Sequence, residues 1–113
     1  MNIVPRRLLA FAMVGLFASL PLAHADEKGD MAAGLALIKS NGCMACHNLK
    51  GTKVGPSFRS IAAQFADQPV DVATQTIEID IHDGRSTMML PHPSISRADL
   101  DKIAHWVLSQ KGD

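Results

Sequence analysis

Apolar positions along the chain form one near-continuous run and several spaced groups, and the two kinds of pattern predict different things. From Leu8 to Leu22 the chain is predominantly apolar, with Arg6 and Arg7 before it and Ala23-His24-Ala25 then Asp26-Glu27 after it. This is the three-part layout of a secretory signal, with cleavage expected after Ala25. The run is shorter than the roughly 20 apolar residues that cross a bilayer, so membrane attachment is expected only if the signal stays uncleaved. Residues 1–25 therefore read as a signal peptide and residues 26–113 as one exported domain, periplasmic or otherwise outside the cytoplasm.

The spaced groups predict helices. Asp30 is a suitable N-cap for a helix over about Met31 to Ser40, with Leu35, Leu37 and Ile38 apolar and Asn41-Gly42 as the stop. Gly34 lies inside it, where glycine disfavours helix, which points to close approach of another element. Gly51 to Ser57 contains Gly55-Pro56 and reads as loop, while Phe58, Ile61, Ala62 and Phe65 have the spacing of a short helix. Between Val70 and Ile81 two periods compete. Ile77, Ile79 and Ile81 alternate like a strand, whereas Val70, Ala73, Ile77 and Ile81 fit a helix; a lone strand would have no partner, so helix is expected, ending at Asp83-Gly84. Ser96-Arg97-Ala98-Asp99 resembles a capping box with Asp in place of Glu, and Leu100, Ile103, Ala104, Val107 and Leu108 form one face of a last helix ending near Gln110. Trp106 lies on or near that face and reads as core. The fold class is all-α.

Charge narrows the function. Removing residues 1–25 leaves nine basic against eleven acidic groups, a formal charge of −2, with lysines and arginines scattered among acids. Nucleic acid is excluded as a partner, since phosphate binding needs a basic face. About 88 residues bury little core, and such domains need a staple. The two cysteines lie only three apart, too close for a disulfide to brace a domain. Something larger is needed to fill the core.

Cys43-Met44-Ala45-Cys46-His47 supplies it. Two thiols at this spacing can each add to a haem vinyl group while the adjacent imidazole binds the iron. Two other uses of a Cys-x-x-Cys pair fit less well. Half a zinc site would need further ligands, and His82, His92 and His105 lack the paired spacing. A thioredoxin-like dithiol would need a strand before it and a sheet around it.

With these residues in view, the chain resembles class I cytochrome c of the small bacterial monohaem type over the whole mature region. The resemblance is carried by Gly42 to His47, by Val54-Gly55-Pro56-Ser57-Phe58, by Met89-Leu90-Pro91-His92-Pro93 and by the closing helix with Trp106. It implies about four short helices wrapped around one covalent haem c. It also implies a crossing of first and last helices at Gly34, and a hydrogen bond from His47 to the Pro56 carbonyl. The family's sixth ligand is a methionine before the last helix, expected here to be Met89, with Met88 as the alternative. The prolines stiffen that loop. His92 is a further candidate to replace the methionine, although its place between two prolines points to a surface loop residue, and His82 and His105 are expected as solvated or helix-face residues. The loop before the methionines is shorter than in many relatives, so the donors to the haem propionates stay open; Arg85, Ser86 and Thr87 are chemically able.

A His/Met pair fills both axial positions and leaves no site for substrate. The expected function is one-electron carriage between transient redox protein partners, free or as a subunit of an oxidase or dehydrogenase, and not enzymatic catalysis. Two alternatives are a haem enzyme or sensor whose methionine dissociates, and a colourless dithiol or zinc protein.

Overall fold

The computed structural model describes Gly15, residues 24–84 and residues 89–112. The expected signal run, the candidate propionate donors Arg85, Ser86 and Thr87, and Met88 lie outside the described residues. Within them are four α-helices: α1 (His24–Ser40), α2 (Phe58–Gln64), α3 (Val70–Asp83) and α4 (Arg97–Leu108), with a 3₁₀ turn at Cys43–Ala45. No described helix is long and apolar enough to cross a membrane.

The first helix corrects one expectation. It begins at His24, so Asp30 is inside it and is not the N-cap. No proline interrupts residues 24–30, Ala25, Glu27 and Lys28 favour helix, and acids at 26 and 27 suit the positive end of the helix dipole. The far end is as expected. Asn41 N–H donates to Leu37 O at 3.0 Å, and Gly42 turns the chain with φ 71°, a conformation that favours glycine.

The third element is a helix, with Ala73 and Ile77 buried and Ile81 half-buried, while Ile79 is exposed. Val70 departs from the predicted stripe and faces solvent. The Ser96 cap is present, its Oγ accepting from Asp99 N–H at 3.2 Å. Ser57, which the helical spacing did not mark, caps α2 in the same way by accepting from Ser60 N–H at 3.0 Å.

Helix α4 is the spine. It packs against α1, α2 and α3, and none of those three packs on another. Ile103, Ala104, Trp106 and Val107 of α4 join Ile38, Phe58, Phe65, Ala73 and Ile77 in one core. Trp106 meets Phe58 edge-on, with ring centroids 5.0 Å apart and planes at 84°, a favoured aromatic arrangement. Gly34 is where α1 and α4 cross. A Cβ there would lie 2.6 Å from Lys102 O and 2.7 Å from Trp106 Cβ, so only glycine admits this approach. Space is left among the four helices, lined by Ile38 of α1, Phe58 of α2, Ile77 of α3 and Ile103 of α4.

Candidate functional site

That space is a cavity of about 710 Å3, within the roughly 300–1,000 Å3 range of ligand sites. Its floor is the apolar face of the core, with Ile38, Phe58, Phe65, Ile77, Ile103 and Val107. One wall carries Cys43, Cys46 and His47, with Gly55 and Pro56 behind the imidazole. The other carries Ile81 from α3 and then Met89, Leu90 and His92.

The first wall is built by local hydrogen bonds. After Gly42 the chain winds through a helical turn, with Cys46 N–H at 3.2 Å and His47 N–H at 3.0 Å from Cys43 O. Residues at i, i+3 and i+4 of such a turn share a face, so both sulfurs and the imidazole are brought together. The following loop is laced back: Gly55 N–H donates to Cys46 O at 2.8 Å, Phe58 N–H to Asn48 O at 2.9 Å, and Lys53 Nζ to Met44 O at 3.1 Å.

This lacing places the Pro56 carbonyl 2.7 Å from His47 Nδ1. A carbonyl can only accept, so Nδ1 carries the proton and Nε2 is left with its lone pair for a metal. Such an outer partner orients the ring and raises its basicity. Gly55 is required beside it. A Cβ at this position would lie 2.5 Å from His47 Cε1 and 2.9 Å from Nδ1. Phe58 supports the ring from within the core, its centroid 5.4 Å from that of His47.

The second wall is held to the end of α3. His92 N–H donates to Ile81 O at 2.9 Å, and Gly84, with φ 78°, lets Met89 O and Pro91 approach closer than a side chain would allow. His92 corrects the expectation of a surface residue. It is half-buried on the cavity wall, and its Nδ1 is buried without a hydrogen-bond partner among the described residues. A buried polar atom left unsatisfied costs about 1–3 kcal/mol, so a cavity occupant with a matching group is called for. Alternation and helical spacing carried no sign of this, because the position is set by a loop that doubles back on α3.

The other histidines stand apart from the cavity lining. His82 is exposed and bonded to Asp83 at 2.7 Å, and His105 Nδ1 lies 2.8 Å from Asp101 O. Gln64 and Asp80 also line the cavity and were not singled out in the sequence.

The cysteines are free thiols. Burial pushes the Cys43 thiol above its ordinary value, against a lesser lowering by a backbone hydrogen bond. A redox dithiol needs the opposite shift in its attacking thiol. Among the described residues no group of three or more His, Cys, Asp or Glu could hold a metal ion, which speaks against zinc. Haem fits better: a large apolar slot, two sulfurs and a free imidazole nitrogen on one wall, a thioether on the other, and an orphaned polar atom within it.

Comparison with known proteins agrees. A family model described as cytochrome c matches residues 31–111. The chain is 35% identical to cytochrome c-552 of Nitrosomonas europaea over 105 residues, 88% of this chain and 97% of that protein. It is 31% identical to cytochrome c-552 of Hydrogenobacter thermophilus over 108 residues, covering 94% and 99%. The crystal structure of the wild-type Nitrosomonas europaea protein superposes with a TM-score of 0.62 at 34% identity, over 68% of this chain and 99% of that one.

Proposed function

The chain belongs to the cytochrome c family, as a monohaem electron carrier with one covalently attached haem c, and from that premise we propose an exported carrier whose iron is held by His47 and Met89. When bound, the haem supplies a one-electron iron couple. Cys43 and Cys46 hold its two vinyl positions at the wall, and the 2.7 Å bond to Pro56 keeps the His47 ring aimed with Nε2 forward. Met89 supplies sulfur from the segment held against Gly84 and Ile81. His47 and Met89 together would hold the iron and leave no place on it for a substrate, so the reading is carriage rather than catalysis.

The single observation that carries this reading is the oriented imidazole sharing one cavity with two sulfurs and Met89. Exposed Val54, Leu90 and Cys46 lie at its edge, where a redox partner would touch in a small, transient contact. Export rests on the signal layout of residues 1–25 and on covalent haem attachment.

The test is a visible and near-infrared spectrum with an intact mass of the exported protein. The mass should equal residues 26–113 plus one haem. The oxidised protein should show the far-red methionine-to-iron band and resist cyanide, and the reduced protein should resist carbon monoxide. Met89→Ala should abolish that band with haem still attached, and Met88→Ala should keep it. The reverse pair of results would move the ligand to Met88, and immediate binding of carbon monoxide by the natural protein would favour a haem enzyme or sensor.

A further inference from the structure

On the cavity lining one buried polar atom has neither a partner among the described residues nor a task in axial ligation or covalent attachment, Nδ1 of His92. We infer that His92 donates its Nδ1–H to a propionate carboxylate of the bound haem and so anchors the cofactor from the wall opposite the cysteines.

Three observations lead there. The Nδ1 atom is buried, on the cavity wall, and without a hydrogen-bond partner among the described residues. The backbone that carries the ring is also fixed in place: His92 N–H is bonded to Ile81 O at 2.9 Å, its carbonyl accepts from Ile95 N–H at 3.3 Å, and Pro91 and Pro93 restrict the chain on both sides. Finally, donors are scarce. The described lining contains no Lys or Arg, and His47 already donates to Pro56, which leaves His92 and the exposed Gln64 as side-chain N–H donors.

Haem brings two carboxylates into that lining. A thioether is a weak acceptor, whereas a carboxylate forms a charge-assisted bond. Placing the donor beside the carboxylate also offsets a negative charge near the iron. Loss of the donor leaves that charge less compensated, which favours the ferric state and lowers the midpoint potential. The inference rests on haem binding and not on Met89; failure of the Met89 assignment would show as a far-red band that is missing from the natural protein or that survives Met89→Ala, and would leave the following test readable.

In the reduced natural holoprotein labelled with 15N-histidine, His92 should show a slowly exchanging Nδ1–H with a proton contact to propionate methylene groups. His92→Leu should shift the propionate deformation band in resonance Raman spectra and lower the potential. His92→Asn should restore both, because its amide nitrogen can occupy the place of Nδ1. The proposal is overturned if the Leu variant leaves the propionate band unmoved, if the far-red methionine band moves instead, or if Leu and Asn behave alike. Should the Leu variant fail to load haem, the natural protein decides: no contact between His92 Nδ1–H and a propionate means the inference is wrong.

Discussion

Replacing Gly55 by Ala tests how tightly the imidazole is held. No left-handed backbone is involved at Gly55, so the substitution adds a methyl group and little else. That methyl would sit 2.5 Å from His47 Cε1, and ordinary contact begins at 3.4 Å, so something must yield by about 0.9 Å. The Gly55 backbone is pinned at both ends, its N–H to Cys46 O at 2.8 Å and its carbonyl to Lys53 N–H at 3.1 Å. The ring must therefore move. A displacement of that size along the 2.7 Å bond to Pro56 O would take it to about 3.6 Å, which is no longer a hydrogen bond. Losing the bond costs about 0.5–1.5 kcal/mol and overpacking about 1–3 kcal/mol, for a total of about 1.5–4.5 kcal/mol. With a guanidinium slope of roughly 3–4 kcal/mol/M, the unfolding midpoint should fall by about 0.4–1.5 M. The potential should rise, because an imidazole without its acceptor is less basic and supports ferric iron less well. A Gly55→Ala holoprotein with the natural midpoint and the natural potential would refute the reasoning.

Other expectations follow from the same structure. Gly34→Ala should destabilise the holoprotein by about 1–3 kcal/mol, since its Cβ meets Lys102 O and Trp106 Cβ at 2.6 and 2.7 Å. Gly29→Ala in the same helix, with nothing within 4 Å, should stabilise it by up to about 1 kcal/mol, so denaturant midpoints should shift in opposite directions. Cys43→Ala with Cys46→Ala should yield a haem-free chain lacking cooperative unfolding by circular dichroism. Without the haem the apolar residues around the open 710 Å3 cavity stay in contact with water, and a domain of this size has little other core to hold it folded. Burial and then the charge of Asp101 raise the Glu78 carboxyl above its ordinary value. Its protonated form is thus favoured by the fold, and its contribution is present below the ordinary carboxylate range and lost as pH rises through the raised value. Glu78→Gln should flatten that fall in a series of unfolding midpoints against pH.

The haem-attachment turn was open to reading from residues 43–47 alone, because the spacing of three side chains on one helical turn is a local matter and involves no distant partner. The last helix was legible for the same reason: its cap and apolar stripe lie within thirteen residues, and Ser96, Leu100, Ile103 and Val107 do what the pattern predicts. Gly34 announced a close approach by being a poor helix residue in a helix, though only the packing identified Lys102 and Trp106 as the partners. Helix α1 shows the limit of capping rules. Asp30 is an able cap, yet the helix runs through it because nothing upstream stops the chain.

What the amino-acid order determined by itself, then, was the set of helices, the haem attachment at Cys43 and Cys46 with an imidazole beside them, and the all-α class. These depend on periods of a few residues and on groups that are near neighbours in the chain. Tertiary structure decided the cavity and who lines it: the imidazole proton committed to Pro56, the glycine that must stand behind the ring, and the placement of Met89 on the other wall. It also turned His92 from an expected surface residue into a half-buried one whose Nδ1 is buried on the cavity wall. Those outcomes depend on how the loops between helices fold back across α4, and a hydrophobic pattern carries no information about a path that leaves and returns.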